Sequence, residues 1–159
     1  MVRRRALDVT KHEAGFALTE LIVVLAMIGI LAILAGPQFM SYWRTSATSA
    51  GAAELATAIQ RARQLAITNN VNYCAEVSGT KVRYRQNANN ACTAGTIWTG
   101  TGTDSNGLVQ ISNGMTVAGG PVVFSSMGAA VLAGTFTVTN PNGGTRNVVV
   151  AGSGRVTVQ

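Results

Sequence analysis

The chain has four stretches that differ in the number and spacing of their hydrophobic residues. Residues 1–15 are polar, and residues 16–36 form an apolar run that contains a single charged side chain, Glu20. As a helix with a rise of about 1.5 Å per residue, this run spans about 30 Å, the thickness of the hydrocarbon core of a bilayer. We therefore predict that residues 16–36 form a transmembrane helix.

The flanks of the apolar run predict its orientation and its fate. Basic residues precede it, which places the N-terminus in the cytoplasm and residue 38 onward outside. A secretory signal peptide has a shorter apolar run, of about 7–15 residues, with small residues before the cut. Ala35-Gly36 would suit such a cut, but Ile33 and Leu34 would not. We therefore expect the segment to remain as an anchor.

Residues 37–70 keep a helical period, and apolar side chains in their second half form a stripe along one face. These side chains recur at spacings of three and four, at Leu55, Ile59, Ala62 and Ala66. Such a stripe is typical of an amphipathic helix that packs one face on a globular domain. Asn69-Asn70 is a suitable stop signal for this helix.

From residue 71 onward the hydrophobic period changes from helical to two. Seven segments are predicted strands: Val71–Val77, Lys81–Gln86, Leu108–Ile111, Val122–Phe124, Thr135–Thr139, Arg146–Val150 and Arg155–Val158. Glycine-rich turns separate them, and Asn142-Gly143-Gly144 is typical of a hairpin turn. We predict an α+β fold, in which the long N-terminal helix packs on a small antiparallel β-sandwich head, residues 71–159.

One segment of the head, residues 87–107, has no regular period. Its only large hydrophobic side chains are Ile97 and Trp98. Loops of this length in a compact domain are often functional or mobile. Trp98 either covers a local core or binds a ligand, and we favour the local core.

Composition argues against enzymatic activity. Only 11% of the residues are charged, against about 25% in an average globular protein, and the chain has a single histidine, His12. The acidic residues beyond residue 15 form no close pair that could divide acid and base roles, and no glycine loop has the form that holds a phosphate. We expect no enzyme, no metal site and no cofactor.

Two cysteines, Cys74 and Cys92, lie in the predicted head. Because the head is expected outside the cytoplasm, an even number of cysteines favours a disulfide. The bond would close a loop of about 19 residues and stabilise the fold by about 3 kcal/mol. The alternative is a pair of unpaired, buried thiols.

The chain beyond residue 42 has eight basic and three acidic residues, a net charge of +5. Three of the cations, Lys81, Arg83 and Arg85, alternate with hydrophobic residues and would share one face of a strand; we call them the basic stripe. With or without Arg155, the stripe could follow a phosphate backbone, although no aromatic residue accompanies it to stack bases. The alternative is a solvated strand face or a charge-protected edge.

Glu20 needs a partner, because a carboxylate inside an apolar span costs a few kcal/mol on insertion scales. It either reaches the interface alone or forms an ion pair with a cation of another chain in the membrane. The sequence around it bears on this choice. Gly15-Phe16-Ala17-Leu18-Thr19-Glu20 and the aliphatic run that follows resemble the cleavage motif of type IV pilins and type II secretion pseudopilins.

This resemblance implies specific roles for four residues. A prepilin peptidase would remove the leader, residues 1–15, by cutting after Gly15, and Phe16 would be N-methylated. Glu20 would pair with the N-terminal amine of a neighbouring subunit during filament assembly. Pro37 falls where the long helix of the family is kinked, in agreement with the hydrogen bond that proline removes from a helix.

Two further stretches resemble the GspH/FimT branch of that family. Residues 59–67, IQRARQLAI, are similar to its ARxxAI stretch, and the similarity resumes at residues 123–124, Gly128, 146–150 and 152–156. DNA-binding members carry a Gly-Arg-x-Arg motif near the C-terminus. This chain has Gly154 and Arg155 but Thr157 in place of the second arginine, which weakens the implication of DNA binding.

The resemblances imply a structural minor pilin-like subunit, anchored in the inner membrane by one helix, with a periplasmic head and a cytoplasmic leader before cleavage. Its partners would be other pilin-like subunits, the prepilin peptidase and the membrane, and the expected filament belongs to a type II protein secretion system that exports folded proteins. One alternative is a type IV pilus minor pilin that binds DNA for natural transformation through Lys81, Arg83, Arg85 and Arg155. Another is a type IV pilus subunit that initiates assembly without a ligand.

Overall fold

The computed structural model describes residues 18–111 and 114–159, which form one helix and ten strands. The predicted leader and its cleavage site, Gly15 and Phe16, lie outside the described residues. Two compact units make up the chain, with their boundary between Phe39 and Met40. Each unit is described by itself below.

Helix α1 runs from Leu18 to Asn69. In the first unit its described residues, 18–39, are almost entirely apolar, and side chains such as Leu21, Leu25 and Leu31 are more than half exposed. This helix is long and apolar enough to cross a membrane. The helix continues through Pro37, and the predicted kink there stays a prediction.

The helix ends where the two asparagines predicted a stop. Asn70 has a positive φ of 53°, and its N–H donates to the carbonyl oxygen of Ile67 at 3.3 Å. The Val71 N–H donates to the carbonyl oxygen of Ala66, also at 3.3 Å. These two bonds form a Schellman motif, which asparagine permits because it tolerates the left-handed conformation. The first strand was predicted to begin at Val71. Because Val71 belongs to this cap, the strand begins at Tyr73 instead.

The first sheet contains six antiparallel strands. They are β1 (Tyr73–Ser78), β2 (Lys81–Gln86), β3 (Thr96–Ile97), β4 (Leu108–Gln110), β6 (Val122–Phe124) and β7 (Ala130–Leu132). The order is β3-β2-β1-β6-β7, and β4 also pairs with β2, alongside residues 81–83. Strands β3 and β4 therefore share the same edge of β2.

The second sheet contains four antiparallel strands: β5 (Thr116–Gly119), β8 (Gly134–Thr139), β9 (Thr145–Val150) and β10 (Val156–Val158). Their order is β10-β9-β8-β5. An isolated bridge between Gly79 and Val117 connects the β1–β2 turn to β5. Both sheets thus belong to one head.

The core of the head lies between the helix and the inner faces of both sheets. The predicted apolar stripe of the helix is fully buried: Leu55, Ile59, Ala62 and Ala66. Its partners are buried aromatic and aliphatic side chains of the first sheet, such as Tyr84 and Phe124, and of the second, such as Phe136 and Val148. The predicted α+β architecture is confirmed.

All seven predicted strands are present; Lys81–Gln86 and Val122–Phe124 have the predicted ends, and the ends of the other five differ by at most two residues. Three strands were not predicted: β3, β5 and β7. They have two to four residues each and show little alternation between buried and exposed positions. Strands β3 and β5 pair with the longer strands β2 and β8, and β7 pairs with β6, which has the same length. Pairing, rather than a sequence pattern, orders these three strands.

Candidate functional surfaces

Glu20 is exposed in the described part of the first unit, surrounded along the helix by exposed apolar residues. Nothing fills the space beside Gly29 or Gly36, where an added Cβ would meet no atom within 4 Å. Residues 18–39, the described part of the first unit, therefore present an unpacked apolar surface with one carboxylate. Such a surface requires either lipid or neighbouring helices around it.

Three stretches that resemble the GspH/FimT branch, residues 59–67, Gly128 and residues 152–156, are far apart in sequence but meet at one point of the head. Arg63 of the helix donates from Nε to the carbonyl oxygen of Gly128 at 2.8 Å. Gly128 lies in the β6–β7 turn with φ +81°, and a Cβ there would lie 2.8 Å from Cδ1 of Ile67. Gly154 has φ +80°, and a Cβ there would overlap with the Gly128 carbonyl oxygen. Helix, turn and C-terminal segment interlock here, so these motif residues have a structural role.

The basic stripe lies on the outer face of β2, as predicted. Val82 and Tyr84 are fully buried on the opposite, inner face. Strand β1 places Glu76 directly opposite Arg83, so the carboxylate lies among the cations. Glu76 Oε2 lies 3.1 Å from Nε of Arg85 and 3.9 Å from Nη1 of Arg83.

The third cation of the stripe is also paired. Lys81 Nζ lies 3.9 Å from Oδ2 of Asp104. The Leu108 N–H, which donates to Asp104, lowers the pKa of this carboxyl group; desolvation opposes the decrease, and the Asn106 N–H and the charges of Lys81 and Arg83 add to it. Two carboxylates thus compensate most of the charge of the stripe.

Arg155 does not lie on the stripe. It precedes β10 in the second sheet, where its carbonyl oxygen accepts a hydrogen bond from the Ala151 N–H at 2.9 Å. Arg146, at the other end of β9, is also exposed. The cations of the head are therefore distributed over two sheets, and the structure does not bring Arg155 together with the basic stripe.

The predicted disulfide is present between Cys74 and Cys92, whose Cα atoms are 5.8 Å apart. It lies on the outer face of the first sheet, where Ala88, Val123 and Leu132 cover it as a small second core. The bond fixes the beginning of the 87–107 segment to β1. The segment is thereby held on the sheet at its N-terminal end.

Trp98 anchors the other half of the 87–107 segment and contacts the local core, as favoured. Its ring lies edge-on to the Tyr84 ring, with 5.9 Å between the two ring centroids. The Arg61 guanidinium carbon lies 5.3 Å from the centroid of the Trp98 ring. Arg61 also donates a hydrogen bond to the Thr101 carbonyl oxygen. The contact of Arg61 with this segment was not predicted, because nothing in the local sequence connects residues 40 positions apart.

Tyr84 lies beneath this cluster. Desolvation raises its pKa to about 12, although the charge of Arg61 opposes part of the increase. Its hydroxyl group donates to the Ala58 carbonyl oxygen at 2.9 Å. The hydroxyl group is therefore a structural donor that remains protonated at physiological pH.

A second polar network joins the helix to the β8–β9 turn and was also not predicted. Asn140 is 4% exposed, and its Nδ2 donates to Oγ1 of Thr48 at 3.2 Å and to the carbonyl oxygen of Arg44 at 3.3 Å. Beside it lies an open groove of about 500 Å³ whose lining includes Tyr42, Trp43 and Asn142. The only sequence signal for this network was the predicted hairpin turn at Asn142-Gly143-Gly144.

Among solved structures, the fold is similar to that of three pilin-like proteins. The minor pseudopilin EpsH from the type 2 secretion system of Vibrio cholerae is 10% identical, with a TM-score of 0.52 over 70% of this chain and 95% of that one. GspH of E. coli is 13% identical, with a TM-score of 0.52 over 69% and 84% of the two chains. The type IV minor pilin FimU of Pseudomonas aeruginosa is 16% identical, with a TM-score of 0.49 over 72% and 89%.

The fold is therefore that of a pilin-like subunit: a long N-terminal helix with antiparallel sheets. The family model of the type II transport protein GspH matches residues 51–154. The chain belongs to the GspH family. Together with the apolar helix, this membership indicates a single-pass, membrane-anchored protein with a soluble head.

Proposed function

We propose that this protein is a minor pseudopilin of a type II protein secretion system and has no enzymatic activity. The observation that carries the proposal is the GspH family match over residues 51–154, which includes most of the head. Residues 18–111 and 114–159, which the structure describes, contain no cluster of side chains that could hold a metal ion. The role of the protein is to assemble with other pilin-like subunits in a filament that helps to export folded proteins.

In this proposal the two units have separate tasks. The apolar helix holds the subunit in the inner membrane after cleavage behind Gly15 and then packs against the helices of neighbouring subunits in the filament. Glu20, the one charge on that exposed surface, pairs with the methylated N-terminus of a neighbour at Phe16. The periplasmic head supplies the surface for partner subunits or for secreted protein.

Two features of the head support a structural role over DNA binding. The cations of the basic stripe lie within 3.1–3.9 Å of carboxylates, so a phosphate backbone would have to displace Glu76 and Asp104. Arg155 directly precedes β10 of the other sheet. The net charge of the head still favours polyanions in general, which makes DNA binding for natural transformation the alternative to test.

The proposal is tested by deleting the gene in its native host and measuring three processes in parallel: export of secreted proteins, pilus formation and natural transformation. We expect secreted proteins to accumulate in the periplasm, with pili and transformation unchanged, and a plasmid copy to restore export. Loss of pili or transformation with normal export would overturn the assignment to type II secretion in favour of a type IV pilus.

Maturation has its own test. Mass spectrometry of the protein from a host with prepilin peptidase should give a chain that begins at Phe16 and carries one added methyl group. A matched sample from a host without the peptidase should retain residues 1–15. An intact leader in both hosts would contradict maturation as a pseudopilin.

A further inference from the structure

The helical residues that line the groove beside Asn140 follow soon after the apolar run along the chain. The exposed apolar residues of the helix continue to Met40, and Tyr42 and Trp43 follow, 73% and 64% exposed. Arg44 comes next, about 6 Å further along the helix than Met40 at 1.5 Å per residue. This order of apolar, aromatic and basic side chains matches the order of hydrocarbon, interface and phosphate in a bilayer.

The opposite wall of the groove is held in place by the buried network of Asn140. While its amide nitrogen bonds to the helix at Arg44 and Thr48, its Oδ1 accepts the Asn142 N–H at 2.9 Å. The Thr48 hydroxyl group donates in turn to the Arg44 carbonyl oxygen at 2.8 Å. The β8–β9 turn is thereby fixed against the first helical turns of the second unit, and Asn142 is held at the wall of the groove.

The chemistry of the groove fits a phosphate group. Its lining includes the Ser46 hydroxyl group and the Asn142 amide as hydrogen-bond donors, and among the described residues that line it Arg44 is the only charged side chain. Within the described ranges, no carboxylate forms an ion pair with Arg44, in contrast to the three paired cations of the basic stripe. An exposed arginine between donors recognises an oxyanion, and the adjacent aromatic rings suit the glycerol region of a lipid.

We propose that this groove binds the phosphate headgroup of an anionic phospholipid, on the side of the membrane that faces the head. Arg44 pairs with the phosphate, Ser46 and Asn142 donate to its oxygens, and Tyr42 and Trp43 lie at the interface. The bound lipid holds the base of the head against the membrane before the subunit enters a filament. The inference depends on the membrane anchor and is independent of the secretion system to which the protein belongs.

The two tryptophans of the chain make the test specific. In a Trp98→Phe variant the fluorescence reports Trp43 alone, and in a Trp43→Phe variant it reports Trp98 alone. The full-length protein is reconstituted in phosphatidylcholine vesicles that contain a quencher on the headgroup of either phosphatidylglycerol or phosphatidylcholine. Circular dichroism verifies that each variant retains the helix and sheet content of the parent protein.

We expect labelled phosphatidylglycerol to quench Trp43 at about fivefold lower mole fraction than labelled phosphatidylcholine does, the effect of one basic residue at an anionic surface. Trp98 should show no such preference. Arg44→Gln, in the Trp98→Phe background, should abolish the preference. Arg155→Gln removes the same charge from the second sheet and should leave it unchanged.

Four results would overturn the proposal. Equal quenching of Trp43 by the two labelled lipids would show that the groove does not select an anionic headgroup. An equal loss in the Arg44→Gln and Arg155→Gln variants would show a general effect of charge. Protection of Trp43 from quenching by millimolar inorganic phosphate would assign the groove to a free anion. Protection from quenching that occurs only at a high ratio of protein to lipid would assign the groove to a second copy of the chain.

Discussion

Arg63 Nε donates a 2.8 Å hydrogen bond to the carbonyl oxygen of Gly128, across 65 residues of sequence. The bond fastens the helix to the β6–β7 turn, and the Gly154 turn closes over the same carbonyl group. A charged donor and two glycines with positive φ thus form one joint between the helix and the sheets.

Gly154→Ala should destabilise the head by more than about 2 kcal/mol, because it adds left-handed backbone strain to a steric conflict with the Gly128 carbonyl oxygen. The control is Gly152→Ala, where an added Cβ meets no atom within 4 Å. Thermal unfolding of the full-length chain in detergent, followed by circular dichroism, measures both changes. Equal melting temperatures for the two variants would show that the close contact at Gly154 does not contribute to the stability of the head.

Reduction of the Cys74–Cys92 bond should lower the free energy of unfolding by about 3 kcal/mol, because the open loop has more conformational entropy in the unfolded chain. The measurement is denaturant unfolding of the protein with and without a reductant. A Cys74→Ala/Cys92→Ala variant serves as the control, since reductant should not change its stability. Two titratable thiols in the native, oxidised protein would contradict the disulfide.

Stability should fall between about pH 10 and pH 12, because the folded pKa of Tyr84 is raised to about 12 from an ordinary 10.0. Below pH 10 Tyr84 is protonated in both states and its contribution is fully present; above pH 10 the unfolded chain loses this proton first. Two pKa units correspond to about 2–3 kcal/mol.

Urea unfolding at a series of pH values measures this loss. Burial also raises the pKa of Tyr73, so its contribution falls in the same direction. Tyr84→Phe should therefore show a weaker, but not absent, decrease above pH 10. An unchanged slope in Tyr84→Phe would show that another group titrates.

The basic stripe should not bind duplex DNA appreciably, because Glu76 and Asp104 already pair with its cations. A gel-shift series over increasing salt with residues 44–159 tests this expectation. Contact with three to five phosphates would give a slope of log affinity against log salt of about −3 to −4.5. That slope, abolished in Arg83→Ala/Arg85→Ala but kept in Arg146→Ala/Arg155→Ala, would instead support DNA uptake through the stripe.

Glu20→Ala should insert into the membrane and be cleaved normally but enter filaments poorly, because it removes the carboxylate expected to pair with a neighbouring N-terminus. The matched control is Glu20→Asp, which keeps the charge and should retain part of the assembly. Cross-linking to other pilin-like subunits, relative to the amount of membrane-inserted protein, gives the readout. Normal incorporation of Glu20→Ala would refute the role.

Local sequence determined the elements that depend on near neighbours. The unbroken apolar run predicted a span, the spacing of Leu55 and Ile59 predicted the buried face of the helix, and strict alternation placed Val82 and Tyr84 in the core. Each of these follows from a period that every residue of an element shares. The strand ends were less predictable because hydrogen bonds outside the strand set them, as the cap at Val71 does.

Only the tertiary structure decided what the polar residues do. The sequence showed three cations on one face of β2, but the pairing of β1 with β2 brought Glu76 among them, and the separate sheets kept Arg155 away. The Arg63–Gly128 bond and the Thr48–Asn140 network join residues 65 and 92 positions apart. Such contacts arise when the chain folds back on itself, and a charge or hydroxyl group carries no local signal of the partner that it will meet. Hydrophobic periodicity therefore determined which surfaces are buried, and the packing of helix on sheets determined which polar groups are left to bind.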